Sequence, residues 1–217
     1  MRNFILMILA LTAFGTSQAS PQVPSRTVLP HSVVSQKDPG IRIELPDTAQ
    51  FIGSVRWPLY DVADAEIYMF VEADEHKKVQ RYYWIQFEAY LPSKPDYFYE
   101  YKKGTDESIA GLAFNLRARF GPSSETPKAG SDLEQALKLI ANAGYTLPAD
   151  LMNVRYVHLT DASRRKELMV IYAEDMASTG VTSAELIATG TIDPRWAAIE
   201  TGLIERAKSR ISFIPQP

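Results

Sequence analysis

Two long β-rich runs joined by four charged residues constrain this chain most. Residues 65–73 and 78–91 are rich in Ile, Val, Phe, Tyr and Trp, and Asp74, Glu75, His76 and Lys77 separate them. Strand formers on both sides of a polar turn are the signature of a hairpin. On the first arm Ile67, Met69 and Val71 share a face. On the second Val79, Tyr83, Ile85, Phe87, Ala89 and Leu91 share one, with Arg81 the exception. These two apolar faces are expected to bury together.

The other face of this hairpin carries the main functional expectation. Gln80, Tyr82, Trp84, Gln86, Glu88 and Tyr90 alternate with the apolar set, and Glu66, Tyr68, Phe70 and Glu72 are assigned to the same side of the partner arm. Rings give contact area, while amide and carboxylate groups give direction, a combination suited to sugars, peptides or amphipathic small molecules. Tyr68, Tyr82, Trp84, Gln86 and Glu88 are therefore the candidate ligand-binding residues. The plainer reading is a second packed layer that buries this face as core, since cross-strand aromatic pairs stabilise sheets in their own right.

Further strands are expected around Ile41, Ile43 and Leu45, over 51–57 until Pro58, and around Tyr97, Tyr99 and Tyr101. Residues 109–120 fit both helical and strand spacing, and the alternation of Phe114, Leu116, Ala118 and Phe120 with Asn115, Arg117 and Arg119 favours strand in the later half. Residues 152–160 and 166–174 make a second hairpin. Ser131 and Glu134 form a capping-box pattern at the start of a helix that Gly144 ends, and Thr182 with Glu185 repeats the pattern before a shorter one. Asp193-Pro194 opens the longest helix, with Trp196, Ile199, Leu203, Ile204, Ala207 and Ile211 along one stripe. The fold class that follows is α+β. A single domain over 41–217 is expected, with one antiparallel sheet of about six to eight strands and the mid-chain and C-terminal helices packed on one of its faces.

Residues 1–19 read as a signal peptide: a basic start at Arg2, an apolar run over 4–14, then Ser17 and Ala19 at the positions a signal peptidase recognises. The expected location is periplasmic or secreted, with no membrane anchor in the mature chain. Residues 20–40, with Pro21, Pro24, Pro30 and Pro39, read as a flexible lead-in.

Several chemistries lack support. The chain has no cysteine, which removes thiol nucleophiles and thiolate metal sites. Its net charge is −3, without the basic footprint that nucleic acid requires. No phosphate-cradling loop, dinucleotide fingerprint, Gly-x-Ser-x-Gly elbow or His-Glu-x-x-His motif occurs, so no cofactor and no metal are expected. Asp61, Asp64 and Glu66 read as a solvated turn, and His158 as a satisfied strand histidine. Arg117 with Arg119, and Arg164 with Arg165 and Lys166, form two basic spots. These could hold an acidic ligand or simply guard strand edges. The expected function is non-enzymatic binding of a small molecule or protein partner through one sheet face. The alternatives are an extracytoplasmic hydrolase and an assembly partner of the envelope.

Overall fold

Cross-strand register decides which side chains meet, and at the central hairpin one residue shifts it. The computed structural model describes residues 23–216. The signal-peptide reading of 1–19 lies outside them. Strand β5 (Ala63–Ala73) pairs antiparallel with β6 (Val79–Tyr90). Ala73 lies opposite Val79, but Glu72 lies opposite Arg81, so Gln80 is an extra residue on β6. This bulge moves every later pair by one, which exchanges the faces that meet. Ile67, Met69 and Val71 therefore sit beside Gln86, Trp84 and Tyr82. Tyr68 and Phe70 sit beside Ile85 and Tyr83. The expected assembly of Ile67, Met69 and Val71 with Tyr83, Ile85 and Phe87 does not occur, and Tyr68 is parted from Tyr82 and Trp84.

The architecture is mostly sheet. Strands β4 (Gln50–Leu59), β5, β6, β7 (Thr105–Ile109), β8 (Leu112–Pro122), β9 (Asp150–Leu159) and β10 (Lys166–Asp175) form a seven-stranded antiparallel sheet in the order β4-β5-β6-β10-β9-β8-β7. Pro58 does not stop β4, because β4 is an edge strand. Both long hairpins form, and 112–122 is strand. Residues 97–101, expected as a strand, instead run across the sheet without pairing into it.

A second sheet accounts for what the prolines concealed. Strands β1 (Thr27–Leu29), β2 (Ser32–Gln36), β3 (Gly40–Glu44) and β11 (Ser212–Pro215) form a four-stranded sheet in the order β1-β2-β3-β11. The flexible lead-in expected over 20–40 is thus, from Thr27, mostly sheet. Its prolines occupy the turns: Pro30 and His31 separate β1 from β2, and Pro39 precedes β3. Val33, with no exposed surface, points inward with Ile41 and Ile43. Glu66 fastens the segment just before β1: it accepts from the Ser25 N–H at 2.9 Å, the Ser25 hydroxyl at 2.7 Å, Arg26 Nη1 at 2.9 Å and Tyr68 OH at 2.6 Å. Glu66 is buried, and Asp64 pairs with Arg56, so neither belongs to a solvated turn.

The two helices that matter lie on opposite faces of the large sheet, not on one. Helix α3 (Arg195–Arg210) and the small sheet cover the face carrying Tyr68, Tyr83, Phe87, Phe114 and Tyr172. Leu203 and Ala207 of α3 are fully buried there, and Trp196 packs its ring on Phe120 at 4.5 Å. Arg206 and Arg210 reach from α3 to Glu174 and Glu72. Helix α1 (Asp132–Asn142) covers the other face through Ala136 and Ile140, against Trp57, Ile67, Met69 and Trp84. The Ser131 hydroxyl accepts from Glu134 N–H as expected, but the Glu134 carboxylate takes the N–H of Gly130 instead of Ser131. A short helix, α2 (Ser183–Leu186), carries the full capping box at Thr182 and Glu185. Among the described residues no helix is long and apolar enough to cross a membrane.

Candidate functional site

The α1 face is only partly covered. Helix α1 packs over β4 and β5, and the segment 97–101 packs over the Glu88 and Glu167 end. Between α1 and the strands lies a groove of about 280 Å³, apolar along α1 and β6 and polar at Arg119, Ser123, Glu125 and Asn153. Tyr82 and Trp84 of β6, Leu133, Ala136, Leu137 and Ile140 of α1, and Gly121 of β8 all line it. That volume lies just below the usual range of ligand sites, about 300–1,000 Å³. A Cβ placed on Gly121 would meet nothing within 4 Å, so free space begins at the backbone of β8.

The five expected binding residues divide three ways. Tyr82 is half-buried and Trp84 is 4% exposed, and both form the groove wall. Burial alone pushes the Tyr82 hydroxyl up to about 12, so it stays protonated at neutral pH. Gln86 and Glu88 share this face but belong to a chain of hydrogen bonds beside the groove. Trp84 Nε1 donates to Gln86 Oε1 at 2.9 Å, Gln86 Nε2 donates to Glu88 Oε2 at 2.8 Å, and Tyr99 OH donates to Glu88 Oε1 at 2.6 Å. Tyr68 has no exposed surface and lies in the opposite core, bonded to Glu66.

A second carboxyl group lies beside that chain. Glu167 of β10 is directly opposite Glu88 and accepts from Tyr101 OH. Burial, reinforced by the charge of Glu88, pushes the Glu167 carboxyl up to about 8. Glu88 is raised too, mainly by burial, against the bonds from Tyr99 and Gln86. Neither carboxyl group lines the groove.

Beyond the groove the same face turns basic. Arg119, opposite Asn153, lines the groove, and the next pair on the same face is Arg117 opposite Arg155. Arg155 lies over the Tyr101 ring, 5.0 Å from its centroid. Sequence reading found Arg117 and Arg119 but missed Arg155, which joins them only through the β8–β9 register. The other basic spot is structural. Arg165 donates to the carbonyls of Leu91, Lys94, Pro95 and Tyr97, Lys166 pairs with Asp38, and Arg164 covers the Phe98 ring.

A larger charged cleft of about 510 Å³ opens on the opposite face between the sheets. Most of its charges are matched, Arg26 and Arg56 with Glu66 and Asp64 and Lys166 with Asp38, while Lys37 and Glu88 line it without an ion pair. His158 is half-buried, with Nδ1 at 2.9 Å from the Ala113 carbonyl, the satisfied strand histidine its spacing suggested. Compared with known proteins, the chain matches no family model, no curated protein and no solved structure.

Proposed function

We propose that this is an exported, non-enzymatic binding protein that holds a small molecule in the groove between α1 and the large sheet. The observation that carries this reading is the groove itself: a slot, apolar along α1 and β6, walled by Tyr82 and Trp84, with open space at Gly121. A folded domain normally fills such space with side chains, because unfilled apolar volume forfeits packing energy. Export rests on the signal-peptide pattern of residues 1–19.

The hydrolase alternative has Glu88 and Glu167 in its favour, since a carboxyl group held protonated near neutral pH suits a general acid. Their oxygens already accept from Tyr99, Gln86 and Tyr101, the groove reaches neither, and only Glu88 borders the charged cleft on the other side. Binding is therefore the better supported reading.

The test fills the groove without disturbing the fold. Gly121 has no left-handed backbone constraint and no neighbour at its Cβ position, so Gly121→Leu should fold normally. A thermal-shift screen of small apolar and amphipathic compounds should find ligands that raise the melting temperature of the parent and not of Gly121→Leu. Ligands that stabilise both proteins equally would place binding elsewhere.

A further inference from the structure

Resting on the groove reading, we infer that the ligand is a single-chain amphiphile with an anionic head. Its apolar chain lies in the groove, and its carboxylate or phosphate head is held by Arg117, Arg119 and Arg155.

The first argument is the placement of charge. Arg117 and Arg155 are direct cross-strand partners, where side chains come within about 5 Å of each other and like charges destabilise. Arg119 follows Arg117 two residues along β8, on the same face and about 7 Å away. Among the described residues, none of the three makes an ion pair, and none donates a hydrogen bond to a side chain or carbonyl. Elsewhere the protein does match its arginines: Arg26, Arg56, Arg81, Arg195, Arg206 and Arg210 all face carboxylates within 4 Å. Arg164 and Arg165 also lack a carboxylate, but Arg165 is satisfied by backbone carbonyls and Arg164 lies over the Phe98 ring; the triad differs in gathering three such arginines on one face.

The second argument is what surrounds it. Glu125 lines the same groove but pairs with none of the three. Glu167 feels the charge of Arg155, but burial and the charge of Glu88 outweigh it and push the Glu167 carboxyl up to about 8. Arg119 is held below the usual arginine value by burial and by Arg117 and Arg155, which is the mark of mutual repulsion. An anionic head relieves that repulsion, and guanidinium forks match carboxylate and phosphate oxygens in pairs.

The third argument is continuity. Arg119 belongs to both features, so head site and chain site meet at one side chain. A free anion would use the triad and leave the groove empty. A neutral chain would use the groove and leave the arginines unbalanced. A chain with an anionic head uses both.

The experiment compares decanoate, decyl phosphate, decanol and a polyglutamate peptide by calorimetry, below micellar concentrations, on four proteins. These are the parent, Gly121→Leu, Arg155→Gln, and the double variant Arg117→Gln/Arg119→Gln. Decanoate or decyl phosphate should bind the parent about tenfold or more tighter than decanol, and the double variant should erase that preference. Gly121→Leu should weaken both the anionic chains and decanol. The double variant should melt at or above the parent temperature, because it removes a repulsion and breaks no ion pair or hydrogen bond, whereas Arg155→Gln also gives up the contact with the Tyr101 ring. Equal binding of decanol and decanoate, both blocked by Gly121→Leu, would overturn the anionic head and leave the groove reading standing. Decanoate binding that survives the double variant would also overturn it. Polyglutamate binding tighter than decanoate, and indifferent to Gly121→Leu, would assign the arginines to an acidic protein segment instead. If none of the four compounds binds and the broader screen also fails, the groove reading falls as well.

Discussion

Glu167 stands directly opposite Glu88 across β10 and β6, so two carboxyl groups share one buried layer under Tyr99 and Tyr101. Glu167 is 4% exposed. Its folded-state value of about 8 lies above the ordinary 4.5, so the folded protein keeps a proton that the unfolded chain releases. The stabilisation is complete below about pH 4.5 and is lost as pH rises towards 8. Glu167→Gln keeps an acceptor for Tyr101 and removes the titration. The parent should lose melting temperature between pH 5 and pH 8 relative to Glu167→Gln. Parallel curves for the two proteins across that range would show that Glu167 is ionised in the fold.

Glu66 works in the opposite sense. It is ionised, 2% exposed, and collects four hydrogen bonds from Ser25, Arg26 and Tyr68. Those bonds hold its carboxyl below the usual range even though burial pushes the other way. Removing one partner of a buried pair costs about 3 kcal/mol or more. Glu66→Ala should therefore destabilise the domain by about that amount, and it should expose the backbone around Arg26 to trypsin before global unfolding. If Arg26 stays protected in Glu66→Ala, the segment before β1 is held without Glu66, by β1–β2 pairing and the contacts of Arg26 with Tyr68 and Phe87.

Leu203 tests the other side of the sheet. It has no exposed surface and sits where α3 meets the main core. Truncation to Ala removes buried methyl groups and leaves a cavity, at about 2–5 kcal/mol. Urea unfolding should give a lower midpoint for Leu203→Ala with an unchanged slope. A midpoint shift worth less than about 1 kcal/mol would mean that α3 is not a structural member of this core.

Trp84 illustrates why the candidate site was only half legible. Alternation correctly put Tyr82, Trp84, Gln86 and Glu88 on one face, because period two is a property of any regular strand. It could not show the partner face, because the single extra residue Gln80 sets the register from outside the alternating pattern. Hence Tyr68 was grouped with Trp84 and lies across the sheet from it. The capped helices and both hairpins were readable because their signals are local. The small sheet was not, since β11 joins β3 from the far end of the chain and short strands between prolines resemble a linker. Arg155 was missed for the same reason: only the β8–β9 register brings it to Arg117. Because Trp84 is groove wall and core at once, Trp84→Ala should cost about 3–5 kcal/mol. It therefore cannot separate binding from folding, whereas Gly121→Leu can. An unchanged melting temperature in Trp84→Ala would show that its ring is not packed under α1.

Gly53 lets Leu139 of α1 pack directly against the β4 backbone. It sits at a break in β4 register with φ of 150°, and a Cβ there would come within 3.0 Å of Leu139 Cδ2 on α1. Gly53→Ala meets two obstacles, an unfavourable backbone angle and a clash with a helix that Trp57 also ties down by donating to the Gly130 carbonyl. Destabilisation of about 1–3 kcal/mol is expected. The double variant Gly53→Ala/Leu139→Ala removes the clash but not the backbone strain. It therefore apportions the cost: recovery relative to Leu139→Ala alone assigns it to the helix, and no recovery assigns it to the strand. Where the helix is displaced, ligand affinity should fall with stability, since α1 supplies one whole wall of the groove. Affinity that survives a measured displacement of α1 would mean that the ligand is held by the sheet alone.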